Sequence, residues 1–142
     1  MSITVQSRIH RTMGRLKHFR SCSRWDDLSQ LRGLRSPLKS DENLCGVYEN
    51  VPGSAGDLLV FTDIGMHIWQ GSGWRSLNYV DIATTEWPPD PKAEARTLTV
   101  RMKTGAVERL TILGGAESGG GLFDVMRFID RVVADSTRKE RS

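Results

Sequence analysis

The stretch Asp57–Trp69, DLLVFTDIGMHIW, constrains the fold more than any other part of the chain. It runs apolar through Leu58, Leu59, Val60 and Phe61, breaks at Asp63–Gly65, and runs apolar again through Met66, Ile68 and Trp69. Two β-rich runs around a short turn that contains glycine predict a β-hairpin. The chain after it reads as further antiparallel strands and one closing helix.

Strand character begins at Asn43. Leu44–Glu49 alternates loosely, and Val51–Gly56 (VPGSAG) is turn material. After the hairpin, Gln70–Gly73 (QGSG) predicts a tight turn into a strand over Trp74–Val80. A bend at Asp81 leads to a strand over Ile82–Trp87, which Pro88, Pro89 and Pro91 end, since proline cannot donate to a ladder. The polar stretch Pro88–Ala95 reads as an exposed loop. Arg96–Met102 and Ala106–Leu113 predict a hairpin across Lys103–Gly105. Gly114–Gly121 (GGAESGGG) reads as a slack linker. Leu122–Val133 is the strongest helix: Leu122, Val125, Met126, Ile129, Val132 and Val133 share one face. The charged tail from Ala134 is expected to fray.

Upstream of Asn43 the periodicity is helical. Ile9, Met13, Leu16 and Phe19 recur at spacings of four, three and three, which predicts a helix over Ser7–Phe19 weakened at Gly14. A second helix is predicted to start at Ser23, with Asp26 and Asp27 in its first turn and Leu28, Leu31 and Leu34 along one face, and to stop before Pro37.

Charge divides the chain at the same place. Residues 1–40 hold nine Lys/Arg against two acids, a net of +7, whereas residues 41–142 hold 11 against 15, a net of −4. The pI of 9.1 therefore belongs to neither part. A hydrophobic content of 38% suggests that part of the chain is solvated rather than core. The 142 residues divide into a basic helical extension (1–40), one folded domain (41–135) and a charged tail (136–142). Cys22 and Cys45 fit no disulfide framework, which favours a reducing compartment. The chain has neither an apolar run of membrane-spanning length nor a secretory h-region, so a cytoplasmic location is expected. An alternative is mitochondrial, since the first 25 residues hold no acid and carry five Arg or Lys by position 20.

Strands in one block followed by a helix define an α+β chain rather than an alternating one. The order resembles the pleckstrin-homology-like superfold, including the GRAM and bacterial PH-like domains. The resemblance covers Leu44–Val133. It rests on GVYENVP (Gly46–Pro52), LLVFTDIGMHIW (Leu58–Trp69), SLNYVDI (Ser76–Ile82), LTVRMKTGAVERLTI (Leu98–Ile112) and the helix LFDVMRFIDRVV. It implies a seven-stranded antiparallel curled sheet closed by a C-terminal amphipathic helix, and a binding module rather than a catalyst. One departure is informative. Lipid-binding members carry basic residues in the loop between the first two strands, where this chain has VPGSAG; the next strand offers only His67.

Other chemistry fits less well. Gly114–Gly121 lacks the Lys-Ser/Thr of a phosphate loop, and no strand follows the helix to complete a dinucleotide unit. His18 and Cys22 are too few for structural zinc. Cys45 as a nucleophile would need a base, and His67 is the sole histidine after residue 40. Asp57, Asp63 and Asp81 sit at strand ends, where Asp makes local hydrogen bonds. No catalytic residue, metal or cofactor is expected. The function expected is recognition of a protein or peptide partner, with an anionic membrane or acidic surface as the alternative. Nucleic acid is not expected, since Phe19 and Trp25 alone make a poor stacking platform. The residues assigned to partner binding are Arg11, Arg15, Lys17 and Arg20 on the arm, with Trp74 and Arg75. Competing with that role, Trp25–Leu34 is expected to dock on the acidic body, and at least one of Trp69, Trp74 and Trp87 to be core, with Trp74 partly exposed.

Overall fold

A computed structural model describes residues 4–31, 34–51, 56–70, 73–86, 97–112 and 120–141. Its elements in chain order are α1 (Val5–Met13), β1 (Phe19–Ser21), β2 (Leu44–Glu49), β3 (Leu58–Thr62), β4 (Gly65–Trp69), β5 (Trp74–Asn78), β6 (Ile82–Glu86), β7 (Thr97–Met102), β8 (Val107–Thr111) and α2 (Gly120–Arg141). The predicted hairpin is β3–β4. Trp87, the loop Pro88–Ala95, most of the Gly-rich linker and the centres of the VPGSAG and QGSG turns lie outside the described residues.

The chain is α+β, but its strands do not form a single seven-stranded curled sheet. They form two antiparallel meanders, one of five strands in the order β1-β2-β3-β4-β5 and one of three in the order β6-β7-β8. The division falls at Tyr79–Asp81, a single 3-10 turn between β5 and β6. The fifth strand of the larger sheet comes from the basic arm: Phe19, Arg20 and Ser21 pair with Tyr48, Val47 and Gly46. Gly46 suits this close pairing, because a Cβ on it would stand 2.3 Å from the Phe19 ring and 2.9 Å from the Arg20 carbonyl oxygen, which is backbone.

The arm is accordingly not one helix followed by another. Thr4 caps α1 by accepting the Ser7 N–H, and the helix ends at Gly14 rather than at Phe19. Ile9 and Met13 still reach the core, with Val5 and Leu16 beside them, while Phe19 reaches it from a strand. The predicted second helix is instead two 3-10 turns, Trp25–Asp27 and Ser29–Leu31. A spacing of three (Leu28, Leu31, Leu34) suits a 3-10 turn as well as an α-helix. Trp25 fixes the path by donating its indole N–H to the carbonyls of Leu31 and Leu34, at 2.8 and 3.1 Å.

The five-stranded sheet is covered on both faces, and alternation along its strands separates two apolar clusters. Its inner face (Tyr48, Leu59, Phe61, Met66, Ile68, Leu77) packs with the second sheet (Leu98, Val100, Leu110) and with both helices. Its outer face (Leu44, Val47, Leu58, Val60) packs under Leu31, Cys22, Trp25, Leu28 and Leu38 of the arm. Two-sided cover explains why every residue of β2 and β3 is buried.

α2 supplies Leu122, Val125, Phe128, Ile129 and Val132 to the main core. Phe128, outside the predicted stripe, is fully buried and meets Phe61 and Tyr79 edge-on at 5.4 and 5.6 Å. The helix runs on through Arg141, past the point where fraying is expected. α1 lies along it in the opposite sense. Arg8 near the start of α1 reaches Asp135, and Arg15 just beyond its end acts on Asp124.

Candidate functional site

Among the described residues, the best-built polar site lies on the outer face of the five-stranded sheet, at the edge that β5 forms. Its foundation is the turn Thr62–Gly65. The Thr62 hydroxyl accepts the backbone N–H groups of Ile64 and Gly65 at 3.2 and 3.1 Å. Asp63 accepts both the backbone and side-chain N–H of Asn43, each at 2.8 Å. The Tyr79 hydroxyl donates to the Thr62 carbonyl at 2.8 Å, and burial raises its pKa well above the usual phenol value. The turn therefore holds the chain just before β2 against the end of the β3–β4 hairpin, which places Glu42 above the sheet.

Glu42 begins a chain of three groups. Its Oε2 lies 2.8 Å from His67 Nε2 and accepts the Thr62 hydroxyl at 2.7 Å, and its Oε1 accepts the Lys39 N–H at 3.0 Å. His67 Nδ1 lies 2.7 Å from Ser76 Oγ. The side chains of His67 and Glu42 are only 5% and 3% exposed, whereas Ser76 is exposed. Burial pushes the Glu42 pKa up, but the Lys39 N–H, the Thr62 hydroxyl and His67 outweigh it and hold the carboxyl below its ordinary value. A carboxylate can only accept, so Nε2 of His67 carries a proton, and in the neutral imidazole Nδ1 is then the acceptor for the Ser76 hydroxyl.

Strand register builds this contact. His67 and Ser76 stand directly opposite each other on β4 and β5. The Tyr79 N–H donates to the Ile64 carbonyl, one step beyond that ladder. Alternation then makes His67–Ser76 a non-hydrogen-bonded pair, the closer kind, and turns the backbone N–H groups of Trp74, Ser76 and Asn78 away from the sheet. Trp74 closes the site on one side. Its ring meets His67 edge-on at 6.5 Å and packs against Trp69 and Trp25 at 5.1 and 5.8 Å. Its indole N–H donates to the Arg35 carbonyl.

The residues assigned to partner binding from sequence are not gathered in one place. Arg11, Arg15 and Lys17 are exposed around the end of α1. Arg20 pairs with the buried Glu49 carboxylate at 3.2 Å. Trp74 is half-buried in the tryptophan cluster. Arg75 points to the other side of the sheet, where it pairs with Glu108 of β8 at 2.5 Å and bonds Gln70. Neither cysteine is placed as a nucleophile. Burial, with Asp27 and Glu49 nearby, pushes Cys22 up to about 11, and burial, with Asp63 and Cys22 nearby, does the same to Cys45. Both stay protonated thiols at neutral pH. No group of three or more His, Cys, Asp or Glu among the described residues could hold a metal ion, and none of their helices is long and apolar enough to cross a membrane.

These residues define an α+β domain with an acid–imidazole–hydroxyl chain at a sheet edge. No family model, no curated protein and no solved structure matches the chain.

Proposed function

We propose that the chain is a non-enzymatic binding module of the pleckstrin-homology-like kind that recognises an extended segment of a protein or peptide partner. The order of elements supports the fold part of this reading. A four-strand meander (β2–β5), a three-strand meander (β6–β8) and a terminal helix follow one another as that superfold requires, with β1 an addition from the arm. The observation that carries the binding part is the outer edge of β5, with which no other described strand pairs. Three outward N–H groups on alternate residues, beside the half-buried Trp74, offer an extended peptide a strand to pair with. Two free thiols fit a reducing, cytoplasmic setting.

The test is capture of partners from the native host, then titration of peptides from them against the full chain and an Asn78→Pro variant. Asn78 has φ −90°, close to what proline adopts, and its N–H faces outward, so the change blocks the edge and spares the ladder. Loss of peptide binding by the folded variant supports the reading; undiminished binding removes it.

A second reading rests on a separate observation, the exposure of Arg11, Arg15 and Lys17 about the end of α1. Together they suit an anionic membrane or acidic surface. Deleting the arm would not test this, because Ile9, Met13 and Phe19 belong to the core. Replacing the three by Gln in place does. Co-sedimentation with phosphatidylserine vesicles should fall in the triple variant, and vesicle binding that is absent or unchanged counts against it.

A further inference from the structure

The binding reading uses the backbone N–H of Ser76 but none of the side chains of Glu42, His67 and Ser76, and their arrangement has a chemistry of its own. A nucleophile within hydrogen-bond reach of a base, with that base oriented by a third group, is the pattern of an activated hydroxyl. Here the acid and base are buried and the hydroxyl is exposed, at successive distances of 2.8 and 2.7 Å. We infer that Ser76 is a nucleophilic serine, an acceptor site for an acyl group from an activated ester or thioester.

The step balances within the three residues. As Ser76 Oγ attacks the acyl carbon, the new O–C bond forms and the hydroxyl proton passes to His67 Nδ1. The positive imidazole is stabilised by the Glu42 carboxylate, to which Nε2–H remains bonded. The bond from carbon to the leaving oxygen or sulfur then breaks, and Nδ1 returns the proton to that atom. The outward N–H of Ser76 is a donor for the oxyanion of the tetrahedral intermediate. No oxidant or metal enters the step. The order of nitrogens, acid on Nε2 and hydroxyl on Nδ1, serves equally well, because a neutral imidazole is donor at one nitrogen and acceptor at the other.

The arrangement also has a structural use, since Glu42 and His67 fasten the segment before β2 to the sheet. A purely structural arrangement leaves Ser76 an ordinary hydroxyl, whereas an activating one makes it fast. The experiment is treatment of the full chain with p-nitrophenyl acetate, followed by mass mapping of the acetylated residues. Ser76 should acetylate about a hundredfold faster than exposed Ser23 in the same molecule. His67→Gln should remove most of that advantage, Glu42→Gln part of it, and Ser76→Ala all labelling of that segment. Acetylation of Ser76 no faster than Ser23 overturns the inference, and this comparison needs no variant to fold. So does an undiminished rate in folded His67→Gln. Sustained release of p-nitrophenol that depends on Ser76 would support the reactive serine while removing the non-enzymatic reading, so the two proposals fail separately.

Discussion

Arg8 and Asp135, 127 positions apart, meet as a two-pronged ion pair, with Nε to Oδ2 at 3.0 Å and Nη2 to Oδ1 at 3.1 Å. The fork-to-carboxylate geometry fixes orientation as well as charge, and it joins α1 to α2. Arg8→Lys should therefore lower the melting temperature nearly as far as Arg8→Ala, since lysine keeps the charge and loses the fork. In a double-mutant cycle with Asp135→Asn, the two losses should be less than additive. Equal stability of Arg8→Lys and the parent would show that charge alone is at work.

Phe128 sits where α2, the inner sheet face and the Tyr79 turn converge, against Phe61 and Tyr79. Phe128→Ala should cost about 3–5 kcal/mol in urea unfolding. The exposed Phe123 of the same helix, over which Arg127 lies at 5.7 Å, should cost about 1 kcal/mol or less when truncated. Similar losses at the two positions would contradict the packing described.

Gly65 permits the β4–β5 contact at its tightest point. A Cβ there would stand 2.0 Å from the Leu77 carbonyl oxygen, which is backbone and cannot swing aside. Gly65→Ala should destabilise the fold by about 1–3 kcal/mol. Because the shift falls between β4 and β5, it should also separate His67 from Ser76 and reduce acetylation of Ser76 in whatever fraction stays folded.

The depressed Glu42 pKa makes stability depend on pH in a defined direction. Below its ordinary value of 4.5 the unfolded chain takes up the proton before the folded chain does. The Glu42 contribution is thus fully present above that value and disappears as the pH falls through the lower, folded pKa. Facing the carboxylate are the Lys39 N–H, the Thr62 hydroxyl and His67. Burial raises the Asp124 pKa, against the pull of Arg127 and Arg15, and works in the opposite sense. The comparison of the parent with Glu42→Gln isolates the one group. Urea midpoints at about pH 6 and about pH 3 should differ less in the variant than in the parent; an equal difference removes Glu42 as a source.

Much of the strand order was readable because turns and prolines punctuate it, and because β3–β4 holds its own partner across a two-residue turn. The arm was not. Helical spacing placed Ile9, Met13 and Leu16 correctly toward the core, but Phe19 continues that spacing by coincidence from a strand. Strand pairing depends on a partner, here β2, that local pattern does not contain. Phe128 was missed because α2 is wedged among α1 and both sheets, which widens its buried stripe beyond one side. The site was half-legible. A four-residue connection between Trp69 and Trp74 sets His67 opposite Ser76 by register alone, and a histidine inside an apolar strand asks for a partner. Glu42 gave no such signal, since it reaches the histidine only through the fold of the Thr62–Gly65 turn.

The pairing of α1 with α2 joins two parts of the chain more than a hundred residues apart, of which a ribosome makes α1 first. Ile9 and Met13 are translated more than a hundred residues before the helix that will cover them. Until then the arm is a basic, apolar-striped segment with no finished surface to rest on. The strands emerge before α2 does, so the sheets can form while the seal that α2 provides is still to come. Nascent chains of this protein should therefore depend on chaperones longer than their local hairpins suggest.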